Sequence, residues 1–235
     1  MEVPSRRDEI ATSLGAVRRR LARALERAGR LPSAARLVAI SKTRPAEDVR
    51  AAFDAGQADF GENRVQEALE KIAATSDMPI TWHLVGHLQT NKARKAAAAF
   101  GWVHSIDSID LLRRVDAAAD EAGRRPELLV QVDLAGERTK HGAPAETWWS
   151  LFEAASACRA ARVAGLMLLP PFTPDPEKAR PYFRRLRELR DELEGRGVPS
   201  DMLRELSMGM SHDFEVAVEE GATLVRVGTA IFGER

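Results

Sequence analysis

Short apolar runs alternate with longer amphipathic ones along most of the chain. From Ser5 to about Arg30, Ile10, Leu14, Val17, Leu21, Leu25 and Ala28 recur at steps of three and four, which puts them on one face of a helix. The stretch Gly29-Arg30-Leu31-Pro32-Ser33 ends it. Beyond Pro32, eight runs have the length, β-branched content and flanking turn residues of strands: 37–41, 60–62, 82–88, 102–106, 128–134, 163–169, 206–210 and 223–227. Helical patterns separate them at 46–56, 64–74, 90–99, 108–122, 145–160, 176–194 and 212–220.

Eight strands alternating with helices predict an α/β fold: a single (β/α)8 TIM-type barrel domain over 1–235, with an extra N-terminal helix within 1–31 packed on it. A doubly wound open sheet is the competing architecture. It would usually carry a glycine-rich phosphate turn after the first strand. This chain has Ser41-Lys42-Thr43-Arg44-Pro45 there, and no GxGxxG or Walker pattern elsewhere.

Composition narrows the function classes. Lys plus Arg (35) balances Asp plus Glu (35), which removes the uniform positive field of a non-specific nucleic-acid binder. Arg18, Arg19, Arg20, Arg23 and Arg27 give the first helix a basic face, read here as solvated and balanced by Asp8, Glu9 and Glu26; an acidic partner is the alternative. The lone Cys158 has no internal disulfide partner, which fits a reducing compartment. The first residues are too charged for a signal peptide, and no run approaches the roughly 18 apolar residues of a membrane span. A cytoplasmic protein with neither membrane nor nucleic-acid partners is expected.

In a parallel barrel the residues that close each strand converge on one mouth. Lys42 follows the apolar run Leu37-Val38-Ala39-Ile40, and a lysine amine partly desolvated there is freed for Schiff-base chemistry; a strand-end lysine turned to solvent is the alternative. Ser207-Met208-Gly209-Met210-Ser211 closes the seventh strand as a small, hydroxyl-bearing turn, and Gly228-Thr229 follows the eighth; barrels commonly seat a phosphate between these two loops. A plain helix cap is the alternative for the serines. His83 and His87 lie four apart on one face of the third predicted strand, but no third metal ligand is apparent. His104 and His212 stand singly, one in a strand and one at a helix start.

The segments Ala39-Ile40-Ser41-Lys42-Thr43, Phe60-Gly61-Glu62-Asn63-Arg64-Val65-Gln66-Glu67, Trp82-His83-Leu84-Val85-Gly86-His87-Leu88-Gln89-Thr90-Asn91-Lys92, Ser207-Met208-Gly209-Met210-Ser211 and Val225-Arg226-Val227-Gly228-Thr229-Ala230-Ile231-Phe232-Gly233 together resemble the pyridoxal phosphate homeostasis proteins. The resemblance runs from about residue 5 to the end. It implies a barrel related to the N-terminal domain of alanine racemases, with pyridoxal 5'-phosphate (PLP) held as an aldimine on Lys42. It further implies Asn63 near the cofactor ring, Ser207, Ser211, Gly228 and Thr229 around the phosphate, and Arg226 facing the pyridine nitrogen.

A permanently charged guanidinium there disfavours protonating the ring nitrogen, which makes the cofactor a poorer electron sink. The related racemases supply a tyrosine from another domain as their second base. Here the chain ends just after strand eight, and its only tyrosine, Tyr182, is expected to pack against the barrel. The expectation is a monomeric PLP carrier with little or no turnover, serving PLP homeostasis and apo PLP-dependent enzymes as recipients. A PLP-dependent amino-acid racemase or lyase, with His83 or a partner chain's Tyr182 as second base, is the alternative. A nucleic-acid or partner-binding module using the N-terminal arginines is the third class.

Overall fold

The computed structural model describes residues 4–134 and 141–234; the expected bounds 1–31 and 1–235 include residues outside that set. The strands are β1 (Arg36–Ile40), β2 (Asp59–Glu62), β3 (Thr81–Leu84), β4 (Trp102–Ile106), β5 (Glu127–Gln131), β6 (Arg162–Met167), β7 (Glu205–Met210) and β8 (Leu224–Val227). All neighbours are parallel, and β8 pairs with β1 to close the barrel. The eight-stranded barrel expected from the sequence is therefore what forms, and the open sheet is not.

Around it lie α2 (Ala46–Asp54), α3 (Val65–Ala74), α4 (Ala93–Ala99), α5 (Ile109–Glu121), α6 (Trp148–Ala155), α7 (Arg180–Gly195), α8 (Phe214–Glu219) and the short α9 (Thr229–Phe232), preceded by α1 (Arg6–Arg27). Ser5 caps α1 in a reciprocal capping box with Asp8. Ile10, Leu14, Val17, Leu21, Ala24 and Leu25 bury its apolar face, and each fully buried Leu or Ile stabilises by about 1.5–3 kcal/mol.

The basic face of α1 is not simply solvated. Arg20 grips Glu215 with two bonds of 2.7 and 2.9 Å while stacking over Phe214, Arg6 binds Asp48 at 2.6 Å, and Arg18 donates to the Ala55 carbonyl at 2.8 Å. The charge partners come from α2 and α8, which sequence neighbours could not indicate. Arg19 and Arg23 remain exposed.

Strands β3 and β5 fall furthest short of the apolar pattern, and β6 too ends early, at Met167. β3 ends at Leu84 because Gly86 folds onto the backbone of Asn63: a Cβ at 86 would lie 2.2 Å from the Asn63 carbonyl oxygen. β5 ends at Gln131, and Val132 keeps only an isolated bridge to Ala143. Three predicted helices open as 3-10 turns, at Thr90–Lys92, Ala145–Thr147 and Pro176–Ala179.

Buried apolar residues divide into two clusters. The larger lies between strands and helices, and a smaller one (Val38, Ile40, Val85, Trp102, Leu129, Ala164, Met167, Leu224) fills part of the barrel interior. Val38 and Ile40 thus point inward and Ala39 outward, which fixes the alternation with which β1 reaches the mouth.

Candidate functional site

Ser41, next in the alternation, points outward: its hydroxyl donates to Glu62 at 2.7 Å under α3. Its N–H still pairs with Gly61, and Lys42 follows in the turn at the rim. Register sets its neighbours. Ile40 pairs with Gly61, which brings Asn63 level with Lys42 on one side. Ala39 pairs with Val227, which brings Gly228 level with Ile40 on the other, so close that a Cβ at 228 would sit 3.2 Å from the Ile40 carbonyl oxygen. Among the described residues the half-buried Lys42 amine has no hydrogen-bond or ion-pair partner.

The turn that carries Lys42 is clamped from outside the barrel. The Arg44 N–H closes it onto Ser41 at 3.0 Å, and Thr43 is held at φ +63°, a conformation costly for a β-branched residue. The Thr43 N–H donates to Glu67. Lys71 binds the Ser41 carbonyl at 2.7 Å, Glu62 at 2.6 Å and Glu67 at 2.8 Å. Burial pushes the Glu62 carboxyl above the usual range, against the hydrogen bonds from Lys71 and Ser41. Nothing in the sequence spacing says that Glu67 and Lys71 support the Lys42 turn.

Inside the barrel a chain of polar groups runs from Arg226 to the base of β2. Arg226 donates to the Ser207 hydroxyl at 2.5 Å and to the Leu168 carbonyl at 2.8 Å. A guanidinium can only donate, so the Ser207 proton goes to His104 Nδ1, 2.9 Å away. His104 Nε2 then donates to His83 Nδ1 at 3.0 Å, and His83 Nε2 to Asp59 at 3.0 Å. This order fixes both tautomers, and burial pushes both imidazoles below the usual histidine range, His104 well below it. Burial likewise lowers Arg226 to about 10, with Asp213 opposing, so the guanidinium is still charged at neutral pH.

The expected site residues therefore fall at two depths. Ser211, Gly228 and Thr229 meet at the rim: the Ser211 hydroxyl accepts from the Gly228 N–H at 3.1 Å and the Ala230 N–H at 3.4 Å. Gly209, at φ +89°, lets β7 end against α8, where a Cβ would lie 2.6 Å from that of Ala217. Ser207 lies deeper, fully buried, with its hydroxyl taken up by Arg226 and His104. Asn63 lines a cleft of about 330 Å³ together with Arg64, His87, Gln89 and Lys92.

Because β3 ends at Leu84, His83 and His87 do not share a strand face. His83 is buried in the polar chain, while His87 stacks on His141 at 3.6 Å between ring centres and lies 3.5 Å from Asp107. Burial, then His141, lowers the His87 pKa, and Asp107 opposes them. Tyr182, on α7, packs on the outer cluster as expected. His212 is exposed beside Phe172.

An eight-stranded barrel with a lysine in the turn after β1 and an arginine inside β8 defines a recognisable class: the profile of the alanine racemase N-terminal domain matches residues 12–235. The pyridoxal phosphate homeostasis protein of Aquifex aeolicus is 45% identical over 222 residues, 94% of this chain and 96% of that one. That of Escherichia coli is 36% identical over 231 residues, 97% of each chain. The chain belongs to the pyridoxal phosphate homeostasis protein family. The solved structure of PipY from Synechococcus elongatus with PLP bound is 41% identical, with a TM-score of 0.85 over 95% of this chain and 100% of that one. Alanine racemase from Streptomyces lavendulae, 24% identical, has a TM-score of 0.67 over 94% of this chain and 58% of the racemase, a likeness of fold.

Proposed function

We propose that this chain binds PLP as an internal aldimine on Lys42, and that it holds and hands on the cofactor with little or no turnover of amino acids. The observation that carries the reading is the placement of Lys42: an amine without a partner among the described residues, in the turn after β1 whose register sets it between Asn63 and the Gly228 turn. The residues fit the cofactor. The Gly228 and Ala230 N–H groups that now donate to Ser211, with Ser211 and Thr229, suit a phosphate. Ser207 would act through Arg226, fixing a positive charge that discourages protonation of the pyridine nitrogen. When bound, PLP supplies the electrophilic aldehyde and an electron sink that this charge weakens.

The racemase or lyase reading draws on the shared fold and needs a second acid/base near the lysine. Neither candidate suits it: His83 is fully buried and committed to Asp59 and His104, and Tyr182 packs between α7 and the outer core. We further propose a cytoplasmic monomer whose recipients are apo PLP-dependent enzymes. Two assays test this reading. Loaded protein should restore activity to an apo PLP-dependent enzyme, and a panel of amino acids should give steady-state rates far below the roughly 1–10³ s⁻¹ of ordinary enzymes. Turnover at ordinary rates would contradict it.

A further inference from the structure

Three groups at the mouth, on the side away from β7 and β8, have no part in the cofactor reading. His87 comes from the β3–α4 loop, Asp107 directly follows β4, and His141 lies beyond β5. One donor atom of each lies within 4.8 Å of the others. The His87 Nδ1 to Asp107 Oδ2 separation of 3.5 Å is close to the spacing of about 3.4 Å between two ligands of one tetrahedral ion at bonds of about 2.0–2.1 Å.

The three donors rest on fixed backbone. The fold of Gly86 onto Asn63 sets the loop carrying His87. Asp107 precedes Ser108, whose hydroxyl caps α5 by accepting from the Leu111 N–H. The His141 carbonyl accepts from Gln131 Nε2 at 2.5 Å, and Ala143 pairs with Gln131 and Asp133. Between them Gly142, at φ +155°, passes so near β5 that a Cβ would lie 2.8 Å from the Asp133 nitrogen. The stacked rings lie within 9° of parallel, so their in-plane lone pairs do not meet at one point, and an ion would bind by turning the two exposed rings out of the stack toward Asp107. All three groups keep one side toward solvent, which leaves room for that turn.

We propose that His87, Asp107 and His141 bind a divalent transition-metal ion of the zinc class. Two imidazoles and one carboxylate suit such an ion better than magnesium or calcium. Three protein ligands leave a fourth position for water.

The test uses untagged, PLP-free, metal-stripped full-length protein titrated with Zn²⁺ against a chromophoric chelator. The wild type should bind one Zn²⁺ per chain, with Co²⁺ giving a visible ligand-field spectrum at the same stoichiometry. His87→Phe and His141→Phe keep a stacked ring and so preserve packing. Each should weaken Zn²⁺ binding more than about 100-fold, beyond the 10–100-fold typical of outer-shell changes. Lys42→Ala should bind Zn²⁺ as the wild type does, so this site and the PLP reading fail separately. Absence of stoichiometric binding, binding unchanged in both phenylalanine variants, or loss of Zn²⁺ in Lys42→Ala would overturn the proposal.

Discussion

The two sides of the barrel mouth are built differently. On the β1, β7 and β8 side, the Lys42 turn rests on Lys71 and Glu62 outside the barrel, and Arg226 and Ser207 are buried inside it, backed from across the interior by His104 and His83. On the β3 to β5 side, His87, Asp107 and His141 are exposed or half-exposed and make few bonds inward. A desolvated hydrogen-bonded network holds one geometry because each further broken link leaves another buried group unsatisfied; here only Glu62 Oε2 lacks a partner among the named groups. Groups half in water can move and exchange partners at little cost. The first side is suited to fixing a covalent tether, the second to contacts that come and go.

The sharpest way to break this contrast is to remove one half of the buried ion pair. Lys71→Met leaves Glu62 without its cation and frees the Ser41 carbonyl, and should cost about 3–5 kcal/mol of unfolding free energy in urea titrations. It should also lower the occupancy of PLP by loosening the Lys42 turn. A cost under about 1 kcal/mol, the range of an exposed pair, would mean that the clamp holds nothing.

His104→Leu attacks the interior instead. It leaves the Ser207 proton and His83 Nδ1 without partners, and a loss of about 2–4 kcal/mol is expected by the same titration. Part of the loss should appear as weaker PLP binding, because Arg226 loses its backing.

The same two histidines set a pH dependence. Both fold with pKa values below the ordinary histidine value of about 6.5, so between the folded value and that point the unfolded chain binds more protons. Their contribution is complete above that range and is lost as pH falls through it, by up to about 1.4 kcal/mol per pH unit for each ring. Urea midpoints followed from about pH 7.5 to about pH 5.5 should fall, and less steeply in His104→Leu. An equal slope in the variant would remove the histidines from the account.

The smallest effect belongs to the other side of the mouth. His87→Phe keeps the stack on His141, and its stability should stay within about 0.5 kcal/mol of the wild type in the absence of metal.

Much of the barrel was legible because strand and helix periods are local. Even β2, a four-residue strand, showed as Phe60-Gly61-Glu62. The overruns at β3 and β5 came from apolar residues, such as Val85, Leu88 and Val132, that are buried beyond the strand end. Lys42 was visible as the polar residue closing an apolar run, and Ser211, Gly228 and Thr229 as a small-residue rim. The buried network was not visible. Asp59, His83, His104, Ser207 and Arg226 lie on five strands, and nothing in the spacing of His83 and His104 says that their rings meet. His87, Asp107 and His141 were hidden in the same way, coming from three separate loops.

The tether on Lys42 is tested most directly by reducing the PLP-loaded protein with borohydride and mapping the modified peptide. The visible absorbance should disappear, with one reduced cofactor fixed to the peptide containing Lys42 and none in Lys42→Ala. An unlabelled Lys42 peptide, or a Lys42→Ala protein labelled as fully as the wild type, would contradict the account.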